Sequence, residues 1–181
     1  FSHSDYSVNL DYLDYRNSIY TDVSYRNERL SLSAGFRLEH LNINISDTIS
    51  SWDTHFLPLG SIMYSINQSN NISLTYNRRL RYPSFQMLIP FEYFSGDGAF
   101  VRSGNPDLRP QKHHSLSLRH TFRKDDVFIS TSLYYQQTDD VFGMEHVLDN
   151  GVLRSQWKNI DWSKGIGLRL SGNASIFDFI D

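Results

Sequence analysis

The sequence predicts an all-β fold, in which about seven antiparallel strands form an up-and-down meander that is part of a large transmembrane β-barrel. Apolar and polar residues alternate along most of the chain, as they do in strands that turn one face to lipid and the other to a lumen. Short charged or amide-rich turns also alternate with longer connections, around 46–57, 80–112 and 138–151. Tight turns on one rim and long loops on the other are typical of a barrel wall.

Composition favours strands over helices. The 181 residues include three alanines but 11 tyrosines and 12 phenylalanines, and aromatic residues have a higher preference for strands than for helices. No apolar run reaches the roughly 18 residues that a membrane-spanning helix needs. The chain has no cysteine, which excludes disulfides and thiolate sites. Its net charge of -3 argues against a nucleic-acid partner.

The strands follow from the alternation. Residues 5–25 change parity once, which predicts one or two strands. The clearest strand comes next, and its apolar face consists of Leu30, Leu32, Ala34, Phe36 and Leu38. The apolar positions then become odd-numbered at Leu41 and Ile43. We expect a β-bulge near Glu39 and His40 to cause this change, unless the strand leaves the lipid there.

Two hairpins and a last strand complete the meander. Alternation on both sides of Gln68–Asn71 predicts a hairpin, and alternation on both sides of Arg123–Asp126 predicts another pair of strands. Asn150-Gly151 is a strong two-residue turn signal, which predicts a hairpin that stands above the membrane. The last strand runs from Gly165 to Ile176. No change in composition divides the chain, so residues 1–181 are expected to be one partial barrel domain.

The polar faces leave two interpretations open. In a barrel, Arg37, Glu39, Arg119 and Arg169 would line the lumen while the apolar face meets lipid. In a secreted or surface β-sandwich, which would bind glycan through its aromatic loop, the apolar faces of two sheets would pack on each other. Periodicity alone does not choose between them.

The longest connection contains a motif with readable physics. Gly104 and Asn105 tolerate a positive φ, Pro106 and Pro110 fix φ, and Leu108 supplies an apolar anchor between them. These residue types predict a stiff, extended return to the barrel rim.

This motif also resembles a known family. Tyr76-Asn77-Arg78-Arg79-Leu80-Arg81-Tyr82-Pro83, with Gly104-Asn105-Pro106-Asp107-Leu108-Arg109-Pro110 after it, resembles the barrel of TonB-dependent outer-membrane receptors, in particular the outer-membrane barrel family common in Bacteroidetes. The matching residues are Arg78, Arg79, Pro83, Gly104, Asn105, Pro106, Leu108 and Pro110. The chain departs from the pattern at three positions, where Tyr82 replaces an Arg, Gln111 a Glu and Arg169 a Glu.

The resemblance implies a location and partners. A receptor of this kind lies in the bacterial outer membrane, has a 22-stranded barrel closed by a plug, and imports a nutrient. Its implied partners are outer-membrane lipid, the remaining barrel and plug, an inner-membrane energy-transducing protein that acts through the plug, and in some cases a surface lipoprotein. The chain would hold about a third of such a wall, without the plug or a signal peptide.

Candidate ligand residues lie in the loop after the fourth strand of the meander. Exposed aromatic side chains can stack on sugars or bind apolar ligands, and the candidates are Tyr82, Phe85, Phe91, Tyr93 and Phe94. Alternatively, these rings pack on one another to hold the loop together. The histidines lack the spacing of a zinc motif, no Gly-x-Ser-x-Gly turn is present, and we expect no metal, no cofactor and no enzymatic activity. Six aromatic residues near strand ends are expected to form a girdle at the lipid interface: Trp52, Tyr76, Phe122, Phe128, Trp157 and Trp162.

Overall fold

A computed structural model describes residues 11–45, 49–95 and 98–174, and nearly all of them lie in β-strands. Seven strands are long, as predicted: β1 (Tyr12–Arg26), β2 (Leu30–Ile45), β3 (Ile49–Asn67), β4 (Asn70–Arg81), β7 (Gln111–Lys124), β8 (Val127–Asp149) and β9 (Val152–Ala174). A single helical turn, α1 (Phe85–Leu88), and two short strands, β5 (Tyr93–Ser95) and β6 (Phe100–Ser103), lie between β4 and β7. The predicted strand residues before position 11 and at Ile176 lie outside the described residues.

The strands form one sheet in the order β1-β2-β3-β4-β7-β8-β9-β6-β5. The seven long strands are neighbours in chain order, and all their pairings are antiparallel, so the predicted meander is confirmed. The short turns at 27–29, 68–69 and 125–126 lie at one end of the sheet. In β6 the chain returns to pair in parallel with β9, from Phe100 opposite Leu153 to Ser103 opposite Gln156.

The register separates the two faces of the sheet. Directly paired residues share a face, and one row across all seven long strands is apolar: Tyr25, Leu32, Ile62, Leu74, Leu118, Leu133 and Leu168. Its side chains are 36% to 71% exposed. The adjacent row faces the other side of the sheet and consists of hydroxyl-bearing residues and one glycine: Ser24, Ser33, Ser61, Thr75, Ser117, Tyr134 and Gly167. We call these the outer and inner faces; in the described ranges no second sheet covers the outer one, unlike in a sandwich.

Two expectations about β2 and β3 are wrong. The segment 46–57 is not a long connection, because β3 begins at Ile49 and pairs with β2 as far as Ile45. There is no bulge near Glu39, since β2 stays in register with both β1 and β3. Leu41 and Ile43 simply lie on the inner face beside Glu39, where they are buried against the loop after β4. The parity change therefore marks a change in what covers the inner face.

Two of the residues expected in the aromatic girdle lie on the wrong face for that role. Trp52 and Trp162 are exposed on the outer face, as an interface residue requires. Trp157 faces inward, where it packs against the same buried cluster as Leu41. Phe128 also faces inward, with the Arg123 guanidinium 5.3 Å from its ring centre. Position near a strand end was thus insufficient to place these two rings, because the face depends on parity.

The hairpin predicted at Asn150-Gly151 is confirmed, whereas the expected long connection at 138–151 is wrong, because β8 continues as a strand to Asp149. β8 and β9 stay paired from Val127 and Ala174 up to Asp149 and Val152. The turn residues Asn150 and Gly151 have φ values of 50° and 82°, the left-handed conformation that this turn requires. No helix in the described ranges is long and apolar enough to cross a bilayer.

Candidate functional site

The candidate site is built around residues 82–110, which we call the strap. The strap folds over the inner face, where Leu88 and Leu108 form one buried cluster with Leu41 and Ile43 of β2. Phe142 of β8 and Trp157 of β9 pack against the same cluster. β2 and β9 are separated by four strands in the sheet order. Because one cluster joins them, the sheet must curl toward its inner face, and the strap crosses the resulting concavity.

Tyr82 fixes one end of the strap to the wall. Its hydroxyl donates a hydrogen bond to Glu39 Oε1, and Arg37 Nη2 lies 2.8 Å from the other carboxylate oxygen. The Arg16 guanidinium covers the Tyr82 ring at 4.4 Å from its centre. Burial, and then the accepting Glu39 carboxylate, raise the pKa of Tyr82 above its ordinary value, so the phenol stays a donor. Phe85 extends this anchor with an edge contact to Tyr12 at 5.0 Å.

Gly104 joins the two halves of the strap. Its N–H donates to the Ile89 carbonyl at 2.9 Å, and the Asn105 N–H donates to the Met87 carbonyl at 2.7 Å. A Cβ at Gly104 would lie 2.3 Å from the Ile89 carbonyl oxygen, so a larger residue does not fit. Gly104 and Asn105 do not use the positive φ that both residue types tolerate, since neither is among the positive-φ residues. Glycine is required here for close backbone approach.

The other end of the strap is clamped to β8 and β9 by Asn159. Its amide nitrogen donates to the carbonyls of Arg109 and Asp140, each at 2.8 Å, and its Oδ1 accepts from the Arg109 N–H at 2.8 Å. The Asp140 carboxylate pairs with Arg109 at 2.7 Å and with Lys112 at 3.1 Å. Asn105 adds a bond from its amide to the Trp157 carbonyl at 2.9 Å. The role of Asn159 as a clamp needed the structure, because Arg109 and Asn159 are far apart in the sequence.

Some of the family-motif residues are buried in the strap, and others lie on the outer or inner face of the sheet. Pro83, Leu108 and Pro110 are buried in or beside the strap, and Pro106 is partly buried. Arg78 and Arg79 pair with His114 and His113, so they lie on opposite faces. On the outer face, His114 bonds the Tyr76 hydroxyl at 2.9 Å and Asp139 at 3.3 Å. Arg79 lies on the inner face.

The five candidate ligand residues separate into two groups. Tyr82 and Phe85 lie at the anchored end of the strap, whereas Phe91, Tyr93 and Phe94 lie further along it and are 38%, 57% and 65% exposed. Among the described residues, the ring-to-ring contact of this set is that of Phe85 with Tyr12. The second group therefore presents aromatic surface to solvent.

The inner face also holds the predicted lumen residues. Arg37, Glu39, Arg119 and Arg169 share this face, as predicted from parity. Arg119 donates to Ser132 Oγ at 3.1 Å, and the Arg169 guanidinium lies 5.9 Å from the Tyr134 ring centre. A polar cleft of about 400 Å³ opens on the same face, between β4, β7 and β8. Parity predicts the face of each lining residue, but the cleft itself was not predicted. In the described ranges no group of three His, Asp or Glu side chains could hold a metal ion.

Comparison with known proteins assigns this architecture. Residues 2–181 match the Outer membrane protein beta-barrel family. The chain belongs to that family. Its place is therefore the bacterial outer membrane, and the predicted resemblance is confirmed. A search of curated proteins returned no match.

Solved structures agree on the fold of this family member. The copper transporter OprC aligns with a TM-score of 0.72 at 14% identity, over 93% of this chain and 27% of that one. A G324V mutant of the ferric enterobactin receptor PfeA from Pseudomonas aeruginosa gives 0.73 at 12%, over 91% and 25%. The Serratia marcescens hemophore receptor HasR, as a double mutant with its hemophore HasA and heme, gives 0.73 at 10%, over 89% and 32%. These neighbours are transporters and receptors, and the chain spans about a quarter to a third of their length.

Proposed function

We propose that the chain is part of the barrel wall of an outer-membrane receptor, and that the full-length parent imports a nutrient by energy-coupled transport. The observation that carries this proposal is the opposition of the two faces. The outer face carries an apolar row across all seven long strands, while the inner face carries hydroxyl, amide and charged side chains beneath a fixed strap. A wall of this kind can separate lipid from a polar path. Its contribution is a shaped path, with no reacting residue.

The partners follow from the same arrangement. The remaining wall strands pair with the outer edge of β1 and with the part of β9 beyond its pairing with β6, and a plug fills the concavity on the periplasmic side of the strap. The plug connects to the inner-membrane energy-transducing protein. The exposed aromatics Phe91, Tyr93 and Phe94 supply ligand contacts at the extracellular side, while Tyr82 and Phe85 keep the strap in position.

Spin labelling of the full-length parent in lipid tests the wall. Labels at Leu32, Phe36 and Leu168 should be relaxed by oxygen dissolved in the bilayer, whereas labels at Ser33 and Arg169 should be accessible to a water-soluble paramagnet. Equal accessibility at the two sets of positions would contradict the assignment of faces. Nutrient uptake by cells should also stop when the energy-transducing protein is deleted, and continued uptake would remove the energy-coupled part of the proposal.

A further inference from the structure

The cleft beside the strap has an unusual lining. Its inner-facing side chains are donors or neutral polar groups, and none is a carboxylate: Asn77, Arg79, His113, Ser115, Gln136 and Thr138. Leu80, His114 and Gln137 form its margin. The nearby Asp140 carboxylate is already occupied by Arg109 and Lys112. A solute in this cleft would therefore meet positive charge and hydrogen-bond donors.

Arg79 lines the cleft, and Arg81 lies just beyond the lining, two residues further along β4 on the same face. Arg79 and Arg81 are exposed, and neither forms an ion pair or a side-chain hydrogen bond with any residue in the described ranges. Arg16 and Arg37 on the same face differ, since Arg16 pairs with Asp14 and Arg37 with Glu39. Positions two apart on a strand lie on one face about 7 Å apart. The two guanidinium groups can thus approach one solute together.

His113 adds a neutral partner between the arginines and β8. It lies opposite Arg79 in the register, and its Nδ1 is 2.9 Å from the Thr138 hydroxyl. Its Nε2 has no partner among the described residues. The ring is therefore held by one nitrogen while the other remains available to a solute.

The height of the cleft relative to the apolar rows of the outer face favours a solute over a plug as its occupant. On the outer face, Leu116, Tyr135 and Ile166 form the last apolar row in this part of the sheet. The next row is polar, and consists of Arg78, His114, Gln137 and Lys164. The cleft lies behind that polar row, and Arg81 is the last residue of β4 before the strap. It therefore opens on the extracellular side, where a solute arrives, whereas Arg119 and Arg169 lie at the depth of the lipid.

We propose that this cleft binds an anionic solute through Arg79 and Arg81, and that the solute carries at least two carboxylate or phosphate groups. Guanidinium groups bind both kinds of group through paired, charge-assisted hydrogen bonds. The proposal rests on the proposed function, because the inner face must line an import path for the site to be used.

Calorimetric titration of the purified full-length receptor tests this site. The probes are citrate for carboxylate, inorganic pyrophosphate for phosphate, and maltotriose as a neutral control. We expect at least one anion to bind, maltotriose not to bind, and affinity to fall as ionic strength rises from about 0.01 to about 0.15 M. The anion that binds more tightly identifies whether the site prefers carboxylate or phosphate groups. Absence of binding by both anions would overturn the proposal.

Variants assign the binding to these residues. The double variant Arg79→Gln with Arg81→Gln should weaken binding of the preferred anion about tenfold or more, and Arg79→Lys should weaken it less. Arg123→Gln removes the same charge from the inner face near the opposite rim, and should leave the affinity unchanged. If the double variant does not fold, comparison of Arg79→Lys with Arg123→Gln still decides the question.

Other outcomes separate the possible failures. Unchanged anion affinity in folded Arg79 and Arg81 variants would overturn the site. If those variants instead expose the plug to protease while anion affinity stays the same, the arginines serve the plug and the proposal is wrong. The spin-label result is independent of these titrations, so failure of the anion site leaves the wall assignment in place.

Discussion

The wall and the strap are stabilised in different ways. In the wall, backbone ladders join seven long strands, and the outer side chains have no protein layer over them. In the strap, α1, β5 and β6 are very short, and order comes from side-chain contacts: Tyr82 with Glu39, Asn159 with Arg109, and the cluster around Leu88. The wall depends on a repeated pattern, whereas the strap depends on individual residues.

This difference affects how each region tolerates substitution. A polar-to-polar change on the inner wall removes few contacts, since the ladder bonds belong to the backbone. A substitution at Gly104 or Asn159 removes a close backbone approach or a set of hydrogen bonds that no neighbouring residue can replace.

Leu118→Arg should produce the largest loss, because it places a charge near the middle of the apolar band. An arginine on the lipid face of a barrel near the midplane costs about 2–4 kcal/mol. Reversible unfolding of the full-length parent in lipid measures this loss in the free energy of unfolding. Ser117→Arg is the matched control on the same strand, and should cost much less because its side chain enters the lumen. Equal losses at the two positions would contradict the assignment of faces.

Gly104→Ala should destabilise the strap by about 2–3 kcal/mol, since the added Cβ collides with the Ile89 backbone. Faster protease cleavage within residues 82–110 of the folded parent measures the local effect. Gly165→Ala is the matched control, because nothing lies within 4 Å of a Cβ at that position. If Gly104→Ala leaves the strap as resistant as the wild type, then close backbone approach does not fix this segment.

Asn159→Ala should destabilise the strap by about 2 kcal/mol, because it leaves the Arg109 N–H and two carbonyls without their partner. Hydrogen exchange at the Arg109 amide reports the loss directly, with faster exchange expected. The exposed outer-face residue Asn42 provides the control, since Asn42→Ala breaks no side-chain hydrogen bond of the described structure. Unchanged exchange at Arg109 would show that Asp140 and Lys112 hold this end of the strap without Asn159.

The same contrast explains what the sequence could predict. Alternation sufficed for the seven long strands and the face of Arg37, Glu39, Arg119 and Arg169, because a period of two is a local property of the chain. It failed at Leu41 and Trp157, whose surroundings depend on where the strap lies. The motif identified Gly104 as a residue that tolerates a positive φ. Glycine is needed there because the Ile89 backbone approaches it closely, and only the folded strap brings these two residues together. The cleft needed three paired strands to place Arg79, His113 and Thr138 together.

Tyr82→Phe should have the smallest effect, a loss of about 1 kcal/mol, and it sharpens the contrast because it changes a single hydroxyl. The ring and its contact with Arg16 remain, while Glu39 loses one donor but keeps its ion pair with Arg37. A charge-bearing acceptor makes such a bond worth more than a neutral one, and the retained pair limits the loss. Tyr93→Phe is the control on the exposed part of the strap, where no cost is expected. Protease cleavage of the strap measures both variants: a larger loss for Tyr93→Phe would mean that the anchored end of the strap is not where its stability lies.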